Sequence, residues 1–213
     1  MKTDDLVHLL AQGPIAVAPA AVARRQALAL GAGGLAAFGL MLGLLGVNPD
    51  LRAATGLSGF WTKVLFAAAL CGTGTLAMAR LARPGASLGG APAGIALALV
   101  LMAALAAAQW LAAEPDARHA LLFGSTWRAC PWWIALLSTP LGAALTWSVR
   151  GLAPTRLRLA GAAVGFLAGA SAALVYCLHC PEMAAPFVAL WYVAGIALPT
   201  AMGTALGPRL LRW

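Results

Sequence analysis

Charge is what this chain has least of. Of its 213 residues, 9% are charged and 62% are hydrophobic, whereas a soluble domain carries about a quarter charged residues. The few charges cluster and leave uncharged runs over 26–49, 64–79, 84–113, 129–149, 159–181 and 183–208. A helix needs about 20 apolar residues to cross the hydrocarbon of a bilayer. The runs therefore exclude a soluble globule and predict six transmembrane helices, near 27–47, 60–80, 92–112, 131–149, 159–177 and 186–207. The run 64–79 is short, but only Lys63 separates it from the uncharged 53–62, and that lysine is expected to snorkel to the interface. The fold class is an all-α membrane protein, a six-transmembrane-helix bundle with both termini on one side.

Other absences narrow the function. No span carries a central Asp, Glu, Lys or Arg, which argues against a proton-coupled transporter or pump, because such residues mark ion paths. No Ser-His-Asp set, H-E-x-x-H or phosphate loop is present. His8, His119 and His179 all fall outside the predicted membrane core. No loop reaches the size of a separate domain, about 50 residues. The chain divides into a terminal segment, 1–26, and a six-helix transmembrane domain, 27–213.

The net charge of +8 does not signal nucleic acid, because the basic residues cap helix ends. The partner they imply is the lipid bilayer. One set of segments holds Lys2, Arg24, Arg25, Arg80, Arg83, Arg150, Arg156, Arg158, Arg209 and Arg212; the other holds Arg52, Lys63, Arg118 and Arg128. Positive segments stay inside, so both termini are expected in the cytoplasm of a bacterial inner-membrane protein. Arg24-Arg25 before an apolar run is faintly like a twin-arginine signal. The run exceeds a signal core of about 7–15 residues, so the first span is expected to remain.

In the terminal segment, Thr3 to Gln12 reads as a short amphipathic helix. Asp4 and Asp5 suit the positive end of its dipole, and Thr3 can cap it. Leu6, Leu9 and Leu10 make one apolar stripe, and Gly13-Pro14 ends it. Ten residues are too few to hold a helix alone, so the stripe fits either the membrane and bundle or a groove on a partner. Gly39-x-x-x-Gly43, Gly161-x-x-x-Gly165-x-x-x-Gly169 and Gly203-x-x-x-Gly207 predict close helix packing. Trp61, Trp110, Trp127, Trp132 and Trp133 read as an aromatic belt, with three of them around Cys130.

What is present, against this background, is thiol. Cys71 lies mid-span and reads as a small hydrophobe. Cys130-Pro131 and Cys180-Pro181 fall at the outer face, and the second belongs to Cys177-Leu178-His179-Cys180-Pro181-Glu182-Met183. Proline restricts the residue before it to an extended backbone and suits the first turn of a helix. Cys130 is thus expected just before helix four, and Cys180 near the start of helix six. Cys177 and Cys180 share a helix face if the fifth helix reaches them. Such thiols can form a disulfide in an oxidising compartment or hold a soft metal. Cys130, Cys180, His179 and Met183, with Cys177 a further thiol, favour copper or zinc over magnesium or calcium; Glu182 could add a carboxylate. A competing reading is a membrane thiol oxidoreductase using Cys177/Cys180 with Cys130 as relay; a third is a metal transporter.

Four features occur together: the opening Met1-Lys2-Thr3-Asp4-Asp5-Leu6, the six-span plan, Trp127-Arg128-Ala129-Cys130 before helix four, and His179-Cys180-Pro181-Glu182 before helix six. With them the chain resembles the NrsF family of bacterial membrane anti-sigma factors. This resemblance implies a non-enzymatic regulator that holds an extracytoplasmic-function sigma factor at the inner membrane and releases it under heavy-metal or oxidative stress. The resemblance implies that Cys130 and Cys180 sense the signal. Cys177 is an addition to that pair, which leaves Cys130–Cys180 and Cys177–Cys180 both open. The sigma factor is expected to dock through Asp4, Asp5, Leu6, Leu9 and Leu10, without direct nucleic acid binding by this chain.

Overall fold

The computed structural model describes Val7 and residues 19–81, 87–152 and 154–212. The terminal stripe of Asp4, Asp5, Leu6, Leu9 and Leu10 lies outside the described residues. Helix α1 spans Pro19–Leu44, α2 Leu51–Ala54, α3 Ser58–Leu81, α4 Ala91–Ala112, α5 Pro115–Phe123, α6 Cys130–Arg150 and α7 Leu157–Tyr176. Helix α8, Ala185–Leu210, carries one π-helical turn at Val188–Tyr192. Among the described residues every regular element is helical. Six of these helices, α1, α3, α4, α6, α7 and α8, are long and apolar enough to cross a membrane.

The expected spans hold to within about two or three residues at most ends. The exception is α1, which begins at Pro19, so the division at residue 26 falls inside it and Arg24 and Arg25 belong to its first turns. Helix α5 was hidden from the charge pattern because it is short and carries Asp116, Arg118 and His119.

Helix α7 is the core of the bundle and the most buried span; it packs against α8, α3, α6 and α1. A helix apolar all round belongs inside, and the small residues of α7 let neighbours close on every side. Gly161 abuts the Gly203 carbonyl and the Gly207 Cα, and Gly165 abuts the Pro199 carbonyl. A Cβ has no room at either place, so the glycine pattern of α7 and α8 is a backbone contact, as expected. The pattern in α1 is different: Gly39 and Gly43 face open space, and Gly33 instead meets Leu141 and Ala144 of α6. Helix α4 is the least buried span and exposes Leu97, Val100, Leu101 and Leu105.

Six alternating spans give the bundle two ends. One carries most of the arginines. There Arg25 of α1 donates to the Trp147 carbonyl at 2.8 Å and lies 4.4 Å over the Trp147 ring, tying α1 to the end of α6. The other end carries Cys130, Cys177 and Cys180.

Candidate functional site

The thiol end is built around the connection from α7 to α8. Helix α7 proper stops at Tyr176, but helical hydrogen bonding continues: Cys177 donates to Ala173 and Cys180 to Tyr176, each at 3.0 Å. Cys177 and Cys180 therefore keep the spacing of a helix face past the end of the helix. From Cys180 to Ala184 the backbone is irregular, so Pro181 does not open α8; Pro186 takes that place. Cys130 also departs from expectation. A turn over 124–129 delivers it into α6 as the first residue, with Pro131 behind it. Its N–H bonds to the Thr126 carbonyl at 3.0 Å, a local bond that outweighs the extended preference before proline.

All three thiols are free and buried, each at most 1% exposed. They lie close enough to influence one another, and the only two tyrosines of the chain lie beside them. Tyr176 sits at the end of α7, its ring 6.0 Å from that of Tyr192. Tyr192 closes the π-helical turn. Its buried hydroxyl lies near the Cys177 and Cys180 thiols and has no hydrogen-bond partner among the described residues. A π turn inserts one residue into a helix and is frequent at functional positions. Here it turns Trp191 to the Leu122 carbonyl at 2.8 Å and Tyr192 to the thiols. Burial pushes the Cys177 thiol up to about 12, with nearby Lys63 pulling the other way. Burial also raises Cys180, again opposed by Lys63.

Lys63 corrects the snorkelling expectation. It is 1% exposed, and its ammonium donates to the Cys180 carbonyl and, at 3.0 Å, to the Glu182 carbonyl. The head does rise towards the helix end, but it meets backbone rather than water. The cause is the irregular stretch after Cys180. The carbonyls of Cys180 and Glu182 have no helical donors there, and buried backbone acceptors need partners.

The expected metal ligands do not converge. The His179 Nδ1 is 3.1 Å from the Gly46 carbonyl. One oxygen of the Glu182 carboxylate accepts from the Ser125 N–H and hydroxyl, each at 2.7 Å. Gly124 permits this, since its φ of 51° and the carboxylate against its Cα both exclude a side chain. Met183 packs on Gly59 of α3. Among the described residues no three His, Cys, Asp or Glu side chains are placed to hold a metal ion. What converges is the thiols with phenols and an ammonium, a set suited to disulfide exchange between neighbours or capture of a thiophilic ion by two sulfurs. Cys71 lies apart, 3.6 Å from the Ser171 hydroxyl.

The cysteine loop is tied to the rest of this end at many points. The Leu178 carbonyl accepts from Asn48 at 3.1 Å, and Ala185 N–H donates to the Gln109 side chain of α4 at 2.9 Å. Trp127 is half-buried and packs with Phe123 and Trp191. Trp61 and Trp132 are exposed, as a belt requires. Sequence reasoning missed Lys63, Tyr176, Tyr192, Gln109 and Ser125. The available signals were the lone charge between two apolar stretches and the confinement of both tyrosines to this end.

Two curated relatives align along their full length and that of this chain. A protein of Azospira oryzae named probable anti-sigma-F factor NrsF is 50% identical, and the anti-sigma-F factor NrsF of Caulobacter vibrioides is 42% identical. No solved structure matches. The family described as negative regulator of sigma F matches residues 10–213. A match over nearly the whole sequence, with six apolar spans and both Cys-Pro steps at one end of the bundle, makes this chain a member of the NrsF family.

Proposed function

We propose that the protein is a membrane anti-sigma factor that holds an extracytoplasmic-function sigma factor at the cytoplasmic face and releases it when thiols at the periplasmic face react. Membership of a family of negative regulators supports the sigma-factor partner. The arginine-rich end supports this orientation, since positive-inside bias favours that end and both termini on the cytoplasmic side. The sigma factor docks there through the terminal stripe of Asp4, Asp5, Leu6, Leu9 and Leu10. The thiol end then faces the periplasm of the inner membrane, an oxidising compartment.

The observation that carries the sensing reading is that Cys130 at the start of α6 is buried close to Cys177 and Cys180 of the α7–α8 connection. Cys130 and Cys180 are the input pair. A two-electron oxidant, such as a peroxide, takes two electrons as the two S–H bonds are lost and one S–S bond forms, with two protons released. A soft ion such as copper or zinc displaces the same two protons. His179 and Glu182 join only by giving up Gly46 and Ser125. Either event redraws the contacts of α6 with the α7–α8 connection and moves the arginine end. Moving such a switch from almost fully held to almost fully released takes about 5.5 kcal/mol of differential binding.

The test replaces Cys130 and Cys180 by serine, singly and together, in cells carrying a sigma-dependent reporter. Release under copper or peroxide is expected to be lost in all three variants, with Cys177→Ser retaining it. Unchanged release in the double variant would remove the switch from these thiols. Loss in Cys177→Ser with Cys130→Ser intact would reassign the pair to Cys177 and Cys180.

A further inference from the structure

We infer that Lys63 is the latch of the thiol end: its ammonium holds the Cys180 loop against α3 in the resting state, and release of that hold is the step that lets the loop move. This rests on the sensing role assigned above to Cys180. Three observations carry it. Lys63 is buried at 1% exposure in an apolar bundle, where an ionisable side chain is costly and is retained for function. Its ammonium is satisfied by the backbone carbonyls of Cys180 and Glu182, while the Glu182 carboxylate is turned away to Ser125. It also lies 5.5 Å from the Phe60 ring on its own helix, so its position is fixed from below.

The consequence is mechanical. Cys180 is a junction of three elements: its N–H is bonded to Tyr176 of α7, its carbonyl to Lys63 of α3, and its side chain shares a cluster with Cys130 of α6. Between the Cys180 N–H, bonded to Tyr176, and the Ala184 carbonyl, bonded to Val188, no helical hydrogen bond fixes the backbone, and Pro181 has no N–H to donate. One bond from Lys63 sets the pose of the Cys180 carbonyl, and the other holds the Glu182 carbonyl. When the Cys180 sulfur takes a new partner, the residue rotates about its own backbone, and the carbonyl leaves the ammonium. A buried ammonium without acceptors is unstable, so α3 shifts with the loop. Lys63 is a positioning residue, acting through Cys180 rather than on the signal itself.

The test uses the purified full-length chain in detergent, with a thiol-reactive maleimide and mass spectrometric assignment of each cysteine. In Lys63→Met, Cys180 labelling is expected to rise about ten- to a hundredfold, the loss of hydrogen bonds to a charged group. Lys63→Arg, which keeps charge and donors, is expected to stay near the native rate. Cys71 serves as the internal control for general unfolding. A Lys63→Met protein whose Cys180 and Cys71 label as slowly as in the native chain overturns the latch.

Should Lys63→Met not accumulate, the native chain decides. An amine-reactive ester is applied before and after hydrogen peroxide or copper chloride. Lys63 is expected to be protected before and modified after, and to stay protected in the Cys130→Ser, Cys180→Ser double variant. Lys63 protected after treatment, while sigma is released in cells, overturns the latch and leaves the sensing reading standing. Cys180 labelling that depends on Lys63, with release indifferent to Cys130 and Cys180, sinks the sensing reading and keeps the latch.

Discussion

Cys177 is held between two opposed influences, and the balance predicts how it reacts. Burial disfavours its thiolate, while the Lys63 ammonium favours it, and burial wins, pushing the thiol up to about 12. At pH 8 the folded chain therefore carries about a thousandfold less thiolate at Cys177 than an unperturbed cysteine, and the thiolate is the nucleophile. Alkylation of Cys177 in the native protein should keep accelerating up to pH about 12, where an unperturbed thiol levels near 9. A rate that levels near 9 would mean that the reacting species is a locally opened state. The sign for stability follows from the same shift. The unfolded chain gives up this proton near 9 and the folded chain holds it to about 12, so the Cys177 contribution to stability is fully present below 9 and is lost as pH rises between those values. Residue-scale chemistry of this kind was only half legible in the sequence. Cys130, Cys177 and Cys180 declared themselves by type and position. Lys63, Tyr176 and Tyr192 did not, because their roles come from neighbours distant in sequence.

At the scale of elements, the α7–α8 contact predicts which glycines matter. Gly161 and Gly165 meet backbone atoms of α8, which cannot move aside as a side-chain tip can. Gly165→Leu should cost more than the about 1–3 kcal/mol of ordinary overpacking, seen as a lower apparent Tm in detergent. Gly39→Ala, on a face with no neighbour, should be neutral or raise stability by up to about 1 kcal/mol through helix propensity. Equal effects at the two positions would mean that α7 and α8 are not packed backbone to backbone. The sequence motif is the same in both helices, so the motif marks permission for close approach rather than contact. Helix number and span limits were legible because a bilayer demands length and apolarity in one continuous stretch. Helix α5, the π turn and the irregular 180–184 stretch were not. Each is set by tertiary hydrogen bonds: Trp191 to Leu122, Lys63 to the loop carbonyls, Ser125 to Glu182.

For the whole molecule, the separation of the two ends defines how the docking reading must be tested. The charge pattern ends the terminal segment at residue 26, yet α1 begins at Pro19 and Arg25 anchors it to Trp147 at the end of α6. Deleting 1–26 would remove that anchor together with the stripe of Leu6, Leu9 and Leu10, and a loss of sigma binding would have two explanations. Deleting 1–18 keeps α1 whole, with its hydrogen bond and its Arg25–Trp147 stacking. The shorter deletion is expected to insert in the membrane at native level, to keep Cys180 as slow to label as in the full chain, and to lose sigma capture in a pull-down. Arg25→Gln in the full-length chain separates the other contribution: it loosens α1 from α6 and leaves the stripe in place. If the 1–18 deletion still captures the sigma factor while Arg25→Gln does not, docking belongs to the arginine-rich ends of the spans. The thiol end and the docking face then communicate through α6 directly, since that helix starts at Cys130 and ends at Arg150.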